Sequence, residues 1–137
     1  MPDPIINPAA LEPLFGPSEI PNQHRVPGKK RGDSAQTIKG RRPSRITIAQ
    51  IFRREVAEWR EAQYGGASDT SRELLFHWFG IDHQVPTLEG DAIPFSYYFC
   101  QREAIETLIY LYEVREIRSL SGLVANFGGA DSEVAAL

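Results

Sequence analysis

Cysteine and long apolar runs are the features that this 137-residue chain has least of. Cys100 is its single cysteine, so no disulfide can form within the chain, and a reducing cytoplasm suits it. No uninterrupted apolar run approaches the roughly eighteen residues that a membrane helix needs, and the start of the chain lacks the basic and apolar regions of a signal peptide. A cytoplasmic protein with no membrane partner is therefore expected.

Bulky apolar side chains are scarce in the first 45 residues. This stretch holds eight of the ten prolines, four glycines and a single aromatic residue, Phe15. Such a composition buries too little apolar surface to offset the entropy of ordering the chain. Residues 1–45 are therefore predicted to form an irregular or disordered arm rich in proline.

Negative charge is also scarce in this arm, whereas the rest of the chain has an excess of it. Residues 1–45 carry eight basic and four acidic side chains, and residues 46–137 carry seven and fourteen. Within residues 24–45, Asp33 is the only acidic residue among eight basic ones. Such a cluster can lie along a phosphate backbone without reading its sequence, although a solvated basic linker has the same composition. The candidate nucleic-acid contacts are Lys29, Lys30, Arg31, Arg41, Arg42 and Arg45.

Helical periodicity begins at Thr47. Apolar residues recur at three- and four-residue steps over about sixteen residues, which predicts a first amphipathic helix. A second, short helix has its start signal at residues 70–73, continues through residues 74–79, which make it apolar nearly all round, and stops at Gly80. Such a helix must be covered on more than one side, either at the centre of the domain or by a partner surface.

A third and longer helix is predicted from Cys100 to about Ser119. Arg102 and Glu106 are spaced to pair along its outside, and its carboxylates fall mostly on a face expected to be solvated. The aromatic segment Phe95–Phe99, just before this helix, is predicted to form a short strand or an extended lead-in. The predicted fold class is therefore mainly α, with three helices after the arm, a helical segment over residues 46–120 and a small-residue tail over residues 121–137.

His77, His83 and Cys100 are the candidates for zinc ligands or for a nucleophile–base pair, since imidazole and thiolate are the usual zinc donors. Structural zinc sites bring four ligands together in close pairs, whereas here the third residue lies 17 positions after the second. A Cys–His catalytic pair would need a group to orient the histidine and an oxyanion site, and the sequence supplies neither nearby. We therefore predict no metal site and no catalytic residue.

Gln101 stands at the start of the third predicted helix, shortly after the aromatic residues Tyr98 and Phe99. A glutamine amide offers one acceptor and two donors, which can pair with N6 and N7 of adenine, while neighbouring rings can stack on a base. The same residues also fit a structural role, in which Gln101 caps its helix and the rings pack in the core. Residue chemistry alone leaves both interpretations open.

Residues 98–113, Tyr-Phe-Cys-Gln-Arg-Glu-Ala-Ile-Glu-Thr-Leu-Ile-Tyr-Leu-Tyr-Glu, resemble the segment that precedes the ATPase core in superfamily II helicases of the DEAD/DEAH type. The likeness is greatest to the restriction subunit of type III restriction enzymes, and it extends over residues 46 to about 120. In that family the corresponding glutamine recognises adenine, so the resemblance implies that Gln101, with Tyr98 and Phe99, contacts ATP.

The same resemblance implies further parts of a parent protein. The segment would lead into a missing α/β RecA-like helicase domain, which binds ATP and magnesium. The implied partners are DNA, the remainder of the helicase core and a modification (methyltransferase) subunit.

The chain has no Gly-Lys-Ser/Thr loop to hold phosphates, and only 36 residues follow Gln101. ATP hydrolysis depends on that loop, on a magnesium-binding carboxylate and on an arginine finger. We therefore expect an N-terminal fragment of an ATP-dependent DNA restriction enzyme or helicase that is inactive alone. The alternative is a complete small helical module that binds nucleic acid or protein.

Overall fold

The computed structural model describes residues 14–128, which fall into two compact units. The first unit runs up to Arg42, and the second begins at Pro43. Residues 14–128 contain four α-helices, one π-helical turn and two antiparallel two-stranded sheets. The predicted fold class, mainly α with three helices after an irregular arm, is therefore wrong, because helices and β-hairpins are mixed along the chain. The beginning of the predicted arm and the end of the predicted tail lie outside the described residues.

The first unit contains a β-hairpin made of β1 (Gln23–Val26) and β2 (Gln36–Lys39). Just beyond the strands, the N–H of Gly40 donates to the carbonyl oxygen of Asn22 at 2.7 Å. Nδ1 of His24 also lies 2.7 Å from the carbonyl oxygen of Gly40. The sequence did not indicate this hairpin because its strands are only four residues long and carry no clear alternation of apolar and polar side chains.

In the second unit, α1 (Thr47–Glu61) and α2 (Asp69–Phe79) correspond to the first two predicted helices. No side chain caps the start of α1. Helix α2 is capped by Ser68, whose Oγ accepts a hydrogen bond from the N–H of Ser71 at 3.1 Å. The side chain of its own N-cap residue therefore stabilises the first turn of α2.

The third predicted helix is broken into pieces. Helix α3 covers Phe99–Ile109, and a π-helical turn follows over Tyr110–Val114. Glu116 then adopts a φ of 54°, which ends the helical path, and α4 (Leu120–Phe127) starts after it. Apolar periodicity continues through this region, so it could not indicate a left-handed residue inside it. Within residues 14–128, no helix has the length and apolar character needed to cross a membrane.

A second hairpin, formed by β3 (His83–Pro86) and β4 (Ala92–Phe95), occupies much of the segment from Asp82 to Pro94, where Pro86, Gly90 and Pro94 are typical of a loop. Both strands of a two-stranded sheet are edge strands, where proline is tolerated because one side of the backbone needs no partner. Pro86 and Pro94 therefore fit within the strands. Gly90 takes a φ of 90° in the connecting turn.

The core of the second unit is a cluster of Val56, Trp59, Leu75 and Tyr110, drawn from α1, α2 and the π-helical turn. The rings of Trp59 and Tyr110 lie with their centroids 5.3 Å apart. The indole N–H of Trp59 donates to the carbonyl oxygen of Gly65 at 2.8 Å, so this buried donor is satisfied. Packing around Trp59 holds the end of α1 against α2 and the turn that follows α3.

Candidate functional sites

Gln101 lies in the first turn of α3 and is exposed. Its side-chain Oε1 accepts a hydrogen bond from the backbone N–H of Tyr98 at 2.9 Å. The N–H of Gln101 in turn donates to the carbonyl oxygen of Tyr98 at 3.1 Å. The amide therefore satisfies a backbone donor at the helix start and is held in one orientation at the surface.

The two aromatic residues predicted to contact adenine lie in different environments. Tyr98 is 56% exposed, whereas Phe99 is only 4% exposed. The guanidinium of Arg60 lies over the Phe99 ring, 5.2 Å from its centroid. The structure therefore brings Tyr98 and Gln101 together at the surface and places Phe99 in the interior, where its ring anchors α3.

The most tightly bonded group in the second unit is the carboxylate of Glu106, which is fully buried. Arg60 donates to both of its oxygens, with Nε at 3.0 and 2.8 Å and Nη2 at 2.6 Å. Tyr64 Oη donates to Oε2 at 2.5 Å, and Nε of Arg102 forms an ion pair with the same oxygen at 3.4 Å. Two arginines and a phenol thus surround one carboxylate, as a buried anion requires.

Tyr64 links this network to the turn after α1. Its hydroxyl donates to Glu106 and accepts a hydrogen bond from Nη2 of Arg102 at 3.1 Å. Burial raises the pKa of Tyr64, and the hydrogen bond to Glu106 raises it further because both favour the protonated phenol. Tyr64 and its neighbour Gln63 have φ angles of 60° and 63°, an uncommon pair of left-handed residues that are not glycine.

Arg102 and Glu106 do pair, as their spacing predicted, but the expectation that they do so on a solvated outer face is wrong, because Glu106 is fully buried. The spacing of the residues in the sequence does indicate that Glu106 is buried. Phe99, Glu106 and Tyr110 are separated by seven and four positions, which puts them on one helical face, and all three are buried. An acidic residue on the same helical face as aromatic residues therefore indicates a charge that is paired in the core.

A cavity of about 670 Å³ opens beside this network. Its lining combines residues from α1, α2 and α3 with the turn after α1, and it includes Tyr64 and Phe76. Its charged lining residues are Arg60, Arg72, Arg102, Asp69 and Glu73. With both signs present, the cavity has no clear preference for anions, and Gln101 is not part of its lining.

Glu113 forms a second hydrogen-bonded carboxylate site, at the π-helical turn. Its oxygens accept hydrogen bonds from the N–H of Ser68 at 2.8 Å, the hydroxyl of Ser68 at 3.1 Å and the hydroxyl of Ser71 at 2.7 Å. These bonds, first that of the Ser68 N–H and next that of the Ser71 hydroxyl, lower the pKa of Glu113. Glu113 therefore ties the start of α2 to the end of α3.

The histidines and the cysteine do not meet in one place. The rings of His77 and His83 lie 5.1 Å apart, and Nε2 of His83 is 2.6 Å from the carbonyl oxygen of His77. Cys100 is exposed in the first turn of α3. Among residues 14–128, no group of three or more His, Cys, Asp or Glu side chains has an arrangement that could hold a metal ion.

The six basic residues predicted to contact nucleic acid divide between the two units. Lys29, Lys30 and Arg31 are exposed in the loop between β1 and β2. Arg41 and Arg42 follow β2, whereas Arg45 belongs to the second unit, just before α1. Nη2 of Arg42 donates to the carbonyl oxygen of Arg25 at 2.5 Å, so this arginine has a structural bond within the first unit.

No family model, curated protein or solved structure that was compared matches this chain.

Proposed function

We propose that this chain supplies the adenine-contacting turn of an ATP-dependent DNA restriction enzyme or helicase, with Gln101 as the residue that recognises the base. The observation that carries the proposal is the exposed amide of Gln101, fixed to the N–H of Tyr98 at 2.9 Å in the first turn of α3. The resemblance of residues 98–113 to the segment before a helicase core is the reason for proposing this role.

The geometry of Gln101 is compatible with adenine. A carbonyl oxygen has two lone pairs, so Oε1 can keep the N–H of Tyr98 and accept a second hydrogen bond from N6 of adenine. The amide nitrogen can donate to N7 of the base. The exposed ring of Tyr98 offers a surface for stacking, whereas the buried ring of Phe99 supports the turn from beneath.

The proposed role covers only the base end of the nucleotide. No Gly-Lys-Ser/Thr loop occurs in the 137 residues, so the phosphates and magnesium are assigned to the helicase core that the resemblance implies. Bound ATP would supply the energy for movement on DNA. The proposed enzyme works in the cytoplasm, with DNA and a modification (methyltransferase) subunit as further partners.

A nucleotide titration of the full chain, followed by NMR, tests the role of Gln101. We expect ATP to shift the side-chain amide signals of Gln101 and the backbone signal of Tyr98 in a weak but saturable manner, and GTP to leave them in place. Gln101→Glu is the informative variant, since it keeps an oxygen for the Tyr98 N–H and removes the donor for N7. It should melt at the temperature of the wild type, because glutamate is favoured at this helix position, and lose the ATP response.

Three results would count against the proposal. Equal shifts with ATP and GTP would show no recognition of adenine, and an unchanged ATP response in Gln101→Glu would remove the amide from the contact. ATP turnover by the chain alone would contradict the assignment of the phosphate-binding groups to another domain.

A second candidate function, a small protein-binding module, is favoured by an apolar groove of about 600 Å³ next to α4. Leu108 and Leu120 in its lining are 73% and 63% exposed, and exposed apolar patches commonly mark interfaces. A module of this kind has no use for ATP. The nucleotide titration therefore separates the two candidates.

A further inference from the structure

The tip of the β1–β2 hairpin has a defined shape. Its loop, residues 27–35, carries Lys29, Lys30 and Arg31 in a row, and all three are exposed. The two sides of the loop approach closely at Gly28, where a Cβ would clash with the Cβ of Asp33 and lie 2.9 Å from its carbonyl oxygen. A residue other than glycine therefore cannot close this loop without moving the backbone.

Hydrogen bonds inside the loop strengthen this closure. The N–H of Lys30 donates to Oδ2 of Asp33 at 3.0 Å, and the N–H of Asp33 donates to the carbonyl oxygen of Lys30 at 3.0 Å. These bonds use the backbone of Lys30 and leave its side chain exposed. The three cations consequently sit on an ordered turn, in contrast to the disordered arm that composition suggested.

The described part of the first unit, residues 14–42, adds positive charge to this tip. Residues 14–42 hold seven basic and two acidic side chains. All four residues of β2 are exposed, so the side chains of this strand are accessible along the length of the two-stranded ribbon that β1 and β2 form. The ribbon thus joins an ordered cationic tip to an accessible polar strand.

We propose that the β1–β2 hairpin is a duplex-DNA-binding ribbon, which enters the major groove and places Lys29, Lys30 and Arg31 on backbone phosphates. The major groove of B-form DNA is wide enough for a two-stranded β-ribbon. Phosphate contacts of this kind give affinity without sequence specificity. The proposal concerns the DNA partner of the enzyme proposed above but does not depend on Gln101, so the two can fail separately.

Other polyanions fit this surface less well. Residues 23–39 contain no Phe, Tyr or Trp side chain, so the ribbon lacks the stacking surfaces that bind single strands. The major groove of A-form RNA is too deep and narrow for side chains to read. A membrane-binding element would need a broad apolar face, whereas the one exposed large apolar residue on the strands β1 and β2 is Ile38.

Binding of the full chain to a labelled random-sequence DNA duplex tests the proposal, with measurements over a range of salt concentrations. Single-stranded DNA, duplex RNA of the same sequence and vesicles containing anionic lipid are the competing ligands. We expect the duplex DNA to bind tightest, with an affinity that falls as salt rises. Neutralising the tip in Lys29→Gln/Lys30→Gln/Arg31→Gln should weaken binding by about tenfold or more and reduce the salt slope by about 0.9 for each phosphate that the tip no longer neutralises.

The matched control removes the same charge from the second unit, in Arg54→Gln/Arg72→Gln/Arg118→Gln, where all three arginines are exposed. It should change duplex affinity much less than the tip variant does. Equal reductions of affinity in the two variants would show that net charge alone drives binding and would overturn the proposal. Tighter binding to single strands, RNA or vesicles, or no binding to duplex DNA at low salt, would overturn it as well.

Gly28→Ala tests the shape of the tip at constant charge. The added Cβ forces residues 28 and 33 apart, so we expect a several-fold decrease in duplex affinity with no change in net charge. Wild-type affinity in this variant would show that a flexible charged arm suffices, which contradicts the ribbon. Exchange of the backbone amides of β1 and β2 in both proteins reports whether the hairpin itself survives the substitution.

Discussion

A charged side chain with no exposure to solvent must be compensated by its neighbours, and Glu106 shows how this is done here. Arg60 meets the carboxylate through two nitrogens, and its side chain is only 10% exposed. Burial lowers the pKa of Arg60, but the hydrogen bonds and the negative charge of Glu106 outweigh that effect, so the pKa is raised overall. Glu106 therefore stabilises the charged state of Arg60.

Glu106→Gln should destabilise the second unit by about 3–5 kcal/mol, because it leaves the buried Arg60 without its counter-ion. Urea unfolding followed by tryptophan fluorescence measures the change, since Trp59 belongs to the core cluster.

Glu103→Gln is the control for that measurement. Glu103 lies 3.9 Å from Arg53 in a partly exposed ion pair, so its neutral variant should cost less than about 1 kcal/mol. Equal destabilisation in the two variants would mean that the buried network contributes no more than a surface pair.

Glu113 gives the chain an expected dependence on acid. Its folded pKa lies below the ordinary value of 4.5, so its contribution to stability is complete above that pH and is lost as the pH falls through the lowered pKa. Glu113→Gln should therefore reduce stability at neutral pH and flatten the stability curve on the acid side. Thermal melts of both proteins between neutral and acidic pH measure this, and parallel curves would refute it.

At the level of residues, the sequence indicated some features of the candidate site and hid others. Placing Gln101 at a helix start needed only the periodicity of the residues after it. The burial of Phe99 and the exposure of Tyr98 could not be read from composition, because both are aromatic residues at a helix boundary. One of the groups that cover Phe99, Arg60, is distant in sequence, so its contact with that ring could not be predicted.

Among the secondary-structure elements, the β3–β4 hairpin has a left-handed glycine in its connecting turn. Gly90 has a φ of 90°, and no atom lies within 4 Å of the place where a Cβ would stand. Gly90→Ala should consequently cost about 1–2 kcal/mol through backbone strain alone, without a clash.

Gly65→Ala serves as its comparison. That position also has open space around its Cβ, but its φ lies outside the left-handed range, so alanine there should be neutral or slightly stabilising. Thermal melts of the two variants measure the difference. The same melting temperature in both would exclude backbone strain at Gly90.

At the level of elements, periodicity was a better guide to helices than to hairpins. Helix α1 buries Ile48, Val56 and Trp59, and the apolar repeat that places them on one face is visible in the sequence. Helix α2 buries Leu75 alone, so its start and stop residues were the better guide to it. Strands of four residues are too short to show a repeat, and prolines at their ends imitate loop signals. The break after the π-helical turn was hidden for another reason, since it depends on the backbone angle of Glu116 and not on side-chain polarity.

Considered as a whole molecule, the second unit leaves several large apolar side chains uncovered. Phe76, Leu108, Tyr112 and Leu120 are each more than half exposed. Patches of this kind bind apolar dyes and promote association between molecules.

Leu108→Lys should lower the fluorescence of a bound hydrophobic dye and reduce self-association without changing the melting temperature, because Leu108 is 73% exposed. Leu75→Ala, at a position only 1% exposed, should instead lower stability by about 2–5 kcal/mol through the cavity that it creates. Dye titration with sedimentation analysis, together with thermal melts, checks both. A large decrease in the stability of Leu108→Lys would show that this residue packs in the core.

At the largest scale, charge was the most readable property of the sequence. The excess of basic residues before position 45 and of acidic residues after it is a matter of counting. The fold of those basic residues was not readable, because the loop of the hairpin involves the close approach of Gly28 and Asp33 and hydrogen bonds between Lys30 and Asp33. Composition indicates how much apolar surface a segment can bury, but it does not indicate whether local hydrogen bonds close a loop.

The position of Tyr64 has a practical consequence for anyone who studies this protein in solution. Its phenol ionises at a higher pH than a free tyrosine because it is buried and donates a hydrogen bond to Glu106. Ionisation changes the ultraviolet absorbance of tyrosine, so the difference between alkaline titrations of the wild type and of Tyr64→Phe isolates the signal of this phenol from those of the other four tyrosines. The chain thus carries a built-in, label-free reporter of whether the interior of the second unit is intact.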